Sequence, residues 1–185
     1  VIDDFSPSLS LHVKWPSDDQ AWLGNTLRPD DLQDEPTISL HDIQASSSHP
    51  ERVPMTYVIT LTDPDAPSRD NPEWSEYCHW VAWGRLKPAP CDPRNPAPCP
   101  PVLGDVHEVM PYQPPGPPRG TGEHRYVFLA FVPSNGTGDE LHLSTPPARK
   151  HWGYETEGTK RTGVRKWARE NGLAPVAANF IYAKH

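Results

Sequence analysis

Short runs rich in β-branched and aromatic residues recur at residues 9–15, 37–40, 55–62, 77–83, 126–132 and 177–182, with clusters of proline or glycine between them. That punctuation is the pattern of an antiparallel β fold. Leu9, Leu11 and Val13 alternate with Ser10, His12 and Lys14, the period of a strand with one buried face. Residues 126–132, Tyr-Val-Phe-Leu-Ala-Phe-Val, show no alternation and predict a central strand covered on both faces. One helix is predicted over residues 159–171, with Gly172 as its terminator. Val164, Trp167, Ala168 and Asn171 share a stripe of that helix and predict its core-facing side. Lys160, Arg161, Arg165, Lys166 and Arg169 lie elsewhere around it.

Segments 44–54 and 86–120 are polar or proline-rich and predict long loops, which inside a compact domain are usually functional or disordered. The chain holds 25 prolines in 185 residues, far above the average share of about 5%. Because strand-like runs separate them, the prolines punctuate an ordered β-rich chain. No internal repeat is visible, and 185 residues supply one well-buried core, so a single domain over residues 1–185 is predicted.

Charge narrows the function classes. The formal net charge of -7 argues against a nucleic-acid partner, whose phosphates need a basic footprint. Residues 1–50 carry nine acidic and two basic side chains, whereas the predicted helix is basic. A partner-docking face and a solvated helix surface both fit that contrast, and the solvated surface is the preferred reading. The longest apolar run, Tyr126 to Val132, is well short of the roughly 20 residues of a spanning helix, so no transmembrane segment is predicted. Val-Ile-Asp-Asp at the start has neither a basic nor an apolar stretch, so no signal peptide is predicted there.

Cys78, Cys91 and Cys99 are an odd number and do not form a disulfide framework. Cys91 and Cys99 bracket a stiff proline-rich loop and could close a small ring in an oxidising compartment. The spacing does not match a structural zinc site, which wants four ligands in short pairs.

Two segments concentrate polar chemistry. In Asp63-Pro64-Asp65-Ala66-Pro67-Ser68-Arg69, two carboxylates follow a strand end at once and prolines hold them in place. Shortly after, Trp74-Ser75-Glu76-Tyr77-Cys78-His79-Trp80 begins the next strand, where Tyr77, His79 and Val81 share one face by the period of two. The second segment runs from Tyr112 to Tyr126. Four of the five residues 114–118 are proline, so Gly116 carries the one N–H of that stretch, and glycine lets a ligand approach the backbone closely. His124 and Tyr126 share a strand face beyond it.

Asp-Pro-Asp-Ala-Pro-Ser-Arg with Cys-His-Trp, then Pro-Gly-Pro-Pro-Arg-Gly-Thr-Gly-Glu-His-Arg-Tyr-Val-Phe, resemble the two signature motifs of the phosphatidylethanolamine-binding (Raf kinase inhibitor) family. Leu23 to Leu27 with Pro36-Thr37-Ile38 resemble its early strands, and Ala174 to Phe180 its closing strand. The Pro-Pro pair and the C-terminal segment are most similar to fungal and yeast members. The resemblance implies a mostly β fold with peripheral α: a large antiparallel sheet packed on a smaller one through Greek-key connections, with a helix in the C-terminal region. It also implies a ligand pocket lined by Asp63, Trp74, Tyr77, His79, Pro115, Gly116, His124 and Tyr126, with Asp65, Pro67 and Arg69 bracing its loop. Cis peptides are implied at Ala66–Pro67 and Ser75–Glu76. Pro114 stands where many members have glycine, which removes one backbone donor.

The expected chemistry is donation from His79 and His124 to an anionic oxygen, with Asp63 orienting one imidazole and holding it partly protonated. Phosphate, carboxylate and sulfate all fit that description, and Trp74 and Tyr77 would wall the pocket. No metal and no cofactor is called for: the His and Asp positions lack an H-x-D pairing for iron. There is no G-x-S-x-G elbow and no H-E-x-x-H helix. The preferred reading is a non-catalytic binding protein for a small anionic ligand (a phosphate headgroup, carboxylate or anhydride) whose rim engages a protein partner, as yeast relatives do in inhibiting a serine carboxypeptidase. The alternative is a catalytic or accessory role in a fungal secondary-metabolite pathway such as maleidride anhydride dimerisation. That role would use Asp63, His79 and His124 for acid/base chemistry. The compartment stays open between the cytoplasm and the secretory or vacuolar system.

Overall fold

The structure is a computed structural model that describes residues 1–43, 55–89, 100–136, 141–152 and 163–185. Its strands are β1 (Leu9–Lys14), β2 (Asn25–Leu27), β3 (Thr37–Asp42), β4 (Thr56–Asp63), β5 (Tyr77–Lys87), β6 (Val102–Met110), β7 (His124–Pro133) and β8 (Leu173–Ala183). Among the described residues one α-helix, α1 (Gly163–Glu170), precedes β8. The strands form a single 8-stranded sheet in the order β1-β3-β6-β5-β4-β7-β8-β2. Neighbours are antiparallel except β2, which runs parallel to β8.

The sheet curls until its β1–β3 end lies over β8, where the Ser8 N–H donates to Val176 O at 3.0 Å. Leu9, Leu11, Val13, Ile38 and Leu40 thereby share one buried cluster with Ile59, Leu61, Trp80 and Phe128. The large and small layers expected from the sequence are two parts of one curled ladder. A second cluster forms on the opposite face, where Val58, Val81, Leu129 and Phe131 meet Trp152, Val164, Trp167 and Ala168. With apolar layers on both sides, β4 is buried along its whole length and Phe128 to Phe131 of β7 are buried without alternation. This is the doubly covered central strand that the uninterrupted apolar run predicted.

α1 turns Val164, Trp167 and Ala168 inward as the stripe predicted, while Asn171 caps the end by hydrogen bonds to Ser144 and Trp167 O. Gly172 sits just beyond with φ 63, the left-handed terminator that glycine adopts without penalty. Residues 159–162 of the predicted helix, with Lys160 and Arg161, lie outside the described residues. So do segment 44–54 and both Cys91 and Cys99.

One expectation is corrected. The stretch 86–120 is not all loop: Leu86 and Lys87 complete β5, and residues 102–110 form β6. β6 escaped notice because Asp105 to Glu108 are exposed, so a mostly solvated strand of mixed polarity carried no apolar alternation. Among the described residues no helix is long and apolar enough to cross a membrane.

Candidate functional site

β4 delivers Asp63 as its last residue, and β5 and β7 lie on either side of β4. Tyr77 and His79 at the start of β5 and His124 and Tyr126 at the start of β7 therefore sit at the same end of the sheet. The pairing of β4 with β5 slips there: Leu61 faces Trp80 and Thr62 faces Cys78, so His79 is the extra residue of a β-bulge. A bulge re-aims a side chain out of the ladder. Trp80 goes to one core cluster, Cys78 and Val81 go to the other, and His79 turns into a cavity. The simple alternation that grouped His79 with Val81 does not hold across the bulge.

That cavity has a volume of about 200 Å³. Asp63, Trp74, Tyr77, His79, Gly116, His124 and Tyr126 line it, as do Ala66 and Pro67 from the acidic turn and Pro117 and Pro118 from the proline wall. Pro115 is buried behind that wall and is not a lining residue. The peptide bonds Ala66–Pro67 and Ser75–Glu76 are both cis.

Asp63 is the hub of the buried side. Its Oδ2 lies 2.8 Å from His124 Nδ1, and its Oδ1 accepts the Asp65 N–H at 2.7 Å. Asp65 in turn accepts the Arg125 N–H at 2.8 Å and faces Arg69 at 3.8 Å, while Arg69 lies over the Tyr182 ring. The acidic turn is thus tied to the start of β7, and Asp65 and Arg69 brace it. The second nitrogen of His124, Nε2, is 2.9 Å from Thr121 Oγ1, and the Thr121 hydroxyl is also 2.7 Å from Pro118 O. When the hydroxyl donates to Pro118 O, its oxygen accepts from Nε2–H and the ring is an imidazolium. When the hydroxyl donates to Nε2, the ring is neutral.

His79 is placed differently. Its Nδ1 lies 2.8 Å from Gln113 O, and because a carbonyl only accepts, that nitrogen carries a proton. Burial lowers the His79 pKa from 6.5 to about 4, outweighing the raising effects of the Gln113 carbonyl and of Asp63. A neutral His79 therefore offers a lone pair at Nε2. The expected donation from both imidazoles is not what this arrangement provides, since both His124 nitrogens are engaged within the protein. The Gly116 N–H lies near the Tyr126 hydroxyl and acts against the rise that burial gives its pKa.

The donors that do face the cavity went unassigned in the sequence. Gln113 accepts from the Tyr77 hydroxyl through Oε1 at 3.1 Å, which leaves its amide NH2 as a donor on the cavity wall. Lys150 reaches the mouth and holds its Nζ 3.6 Å from the centroid of the Trp74 ring.

A family profile described as phosphatidylethanolamine-binding protein matches residues 17–181. The chain belongs to that family. The carboxypeptidase Y inhibitor of Saccharomyces cerevisiae is 34% identical over an alignment of 213 residues that covers 100% of this chain and 89% of the relative. The crystal structure of carboxypeptidase Y inhibitor complexed with the cognate proteinase superposes with a TM-score of 0.76 at 34% identity, covering 97% of this chain and 85% of that one. The phosphatidylethanolamine-binding protein from Plasmodium vivax superposes with a TM-score of 0.65 at 18% identity, over 97% of this chain and 87% of that one, and shares the fold.

Gln113 was legible in principle. It is the last residue with an N–H before the proline pair, and it spends that N–H on His79 O at 2.8 Å. Lys150 was not, because nothing in sequence ties residues 149–152 to either motif. In the structure that segment is stitched to the start of β5: Cys78 N–H donates to Arg149 O at 2.8 Å, and His151 N–H to Trp74 O at 3.0 Å.

Proposed function

We propose that this chain is a non-catalytic binding protein whose cavity takes the acidic group of a small ligand, a phosphate headgroup, carboxylate or anhydride, and whose rim engages a protein partner. The observation that carries the ligand half is a cavity of about 200 Å³ in which the Gln113 amide and the Lys150 ammonium stand as donors beside the internally bonded Asp63, His79 and His124. That volume lies below the roughly 300–1,000 Å³ of pockets for drug-sized ligands, so a headgroup or a small acid suits it. Titration calorimetry with methyl phosphate and with succinate tests it. Saturable binding that is lost in Gln113→Ala supports the assignment, and absence of heat with both acids rejects it.

The protein-partner half is supported by kinship with carboxypeptidase Y inhibitor, a relative solved in complex with its proteinase. It is also supported by the loop after β1. Trp22 and Leu23 are 64% and 68% exposed, yet their backbone is fixed: Leu23 N–H donates to the buried Asn179 at 2.9 Å, and Trp22 N–H to Asn25 at 2.7 Å. A large aromatic held out on a rigid loop is the side-chain type that anchors protein interfaces. Carboxypeptidase Y is the enzyme to assay, and undiminished peptidase activity at micromolar concentrations of this chain rejects the reading.

A second reading, an accessory or catalytic role in a secondary-metabolite pathway, draws on the chain Asp63–His124–Thr121. Its contacts of 2.8 and 2.9 Å can hold a proton on either side of the His124 Nε2–Thr121 contact. Conversion of a maleic anhydride monomer by wild type but not by Asp63→Asn would support it, and equal product with both would reject it.

A further inference from the structure

We propose that Lys150 sets the charge class of the ligand: it fills the place of a ligand cation, so the cavity takes a small acid with no ammonium group and turns away a zwitterionic headgroup. This rests on the reading of the cavity as an acid-binding site and narrows it.

The face of an aromatic wall is where a ligand ammonium would settle, because the negative ring face attracts a cation within about 6 Å of its centroid. Trp74 is the tryptophan that lines the cavity, and Lys150 already places its own ammonium 3.6 Å from the ring centroid. An incoming ammonium meets an occupied face and a like charge. An incoming acidic group meets the opposite: a cation at the mouth, and inside it the Gln113 amide NH2.

The other ionisable groups of the described lining are engaged within the protein or neutral. Asp63 is the carboxylate of the lining, and it is committed to His124 at 2.8 Å. His79 is neutral above its lowered titration range and offers a lone pair. Among the described residues, Lys150 lies in no ion pair with a carboxylate.

The position of Lys150 is built. The preceding residue, Arg149, donates from its guanidinium to Cys78 O and His79 O, each at 3.0 Å, and to Pro111 O at 2.7 Å. With the two backbone bonds to Cys78 and Trp74, this fixes the main chain of Lys150 at the cavity mouth, from which its ammonium lies over the Trp74 ring. From over the half-buried Trp74 ring the ammonium attracts an acid entering the mouth by charge while it keeps the ring face covered.

The test compares three probes by titration calorimetry at one low ionic strength: methyl phosphate, succinate and the zwitterion glycerophosphoethanolamine. Wild type is expected to bind at least one of the acids more tightly than the zwitterion. In Lys150→Met, which keeps the apolar stem over Trp74, that acid-to-zwitterion ratio should fall by about fivefold, the worth of one exposed cation at a binding site. Lys150→Arg should restore it. A ratio unchanged in Lys150→Met, with acid binding intact, overturns the inference and leaves the acid-binding cavity standing. Equal or tighter binding of the zwitterion by wild type overturns it as well, and no binding of either acid by wild type overturns both.

Discussion

His79 and Gln113 hold each other through two bonds: Gln113 N–H donates to His79 O at 2.8 Å, and His79 Nδ1–H donates to Gln113 O at 2.8 Å. The pair closes a ring between the bulge of β5 and the residue that opens the proline wall. It locks the tautomer of His79 and aims the Gln113 side chain along the same cavity. Two residues 34 positions apart thus act as one structural unit at the site.

The first expected outcome follows from that ring. Buried and bonded through Nδ1, His79 should stay neutral at every pH above about 5, with its proton on Nδ1. Nitrogen-15 chemical shifts of the imidazole report the tautomer directly. A His79 signal that titrates near 6.5, or that shows the Nε2–H tautomer, is incompatible with this geometry.

Stability should respond to pH through two buried groups of opposite sign. Burial raises the Glu76 pKa from 4.5 to about 7, so the folded state binds more protons than the unfolded one between those values, and stability falls as pH rises through them. His79, lowered from 6.5 to about 4, makes the unfolded state the stronger proton binder, so its contribution is full above 6.5 and is lost as pH falls toward 4. Each is worth on the order of 3 kcal/mol over its window, at 1.36 kcal/mol per unit. Between about 4.5 and 6.5 the two slopes cancel. Urea unfolding of Glu76→Gln should therefore show stability rising with pH across that range, and of His79→Gln stability falling. Parallel pH profiles for the two variants would contradict the assignment.

The loop that presents Trp22 and Leu23 depends on Gly24. It has φ 110, and a Cβ there would lie 2.7 Å from the Phe180 ring. Gly24→Ala should cost about 1–3 kcal/mol, read as a lower urea midpoint at unchanged slope. Affinity for small acids should stay as in wild type, because Gly24 is not among the residues lining the cavity. A fully stable variant would mean that the loop relaxes easily and is no rigid platform.

How much of this could be read in the sequence differs by element, for physical reasons. Burial on both faces left β7 an unbroken apolar run, and the two motifs placed Asp63, His79, His124 and Tyr126 before any coordinates. β6 was hidden because an exposed strand needs no apolar pattern. The bulge at His79 was hidden because register is a property of two strands, and one strand alone shows only its own period. Lys150 was hidden because Arg149, which holds it in place, bonds to backbone carbonyls, and any residue has a carbonyl. The hydrogen-bond roles of His79 and His124 needed the partners of every ring nitrogen, and residue types do not give those.

Asp63→Asn separates charge from shape at the hub of the site. The Asp63 carboxylate accepts twice, from His124 Nδ1 and from the Asp65 N–H, and it is nearly fully buried. An asparagine has one acceptor oxygen: with that oxygen on the Asp65 N–H, its NH2 faces His124 Nδ1, so the ring must give up the Nδ1 proton and carry its remaining proton on Nε2, towards Thr121. The exchanged tautomer and the loss of the charged partner of His124 together should cost about 1–3 kcal/mol. The damage should reach past the residue, because the acidic turn is tied to β7 through these bonds and those of Asp65. Thermal unfolding should show the loss, and the affinity for methyl phosphate should drop by at least tenfold as His124 loses its orientation. His124→Asn in the same background should then add little, since the two residues share one interaction. Additive losses from the two substitutions, or a stability change under about 1 kcal/mol for Asp63→Asn, would show that the pair is not the hub the geometry makes it.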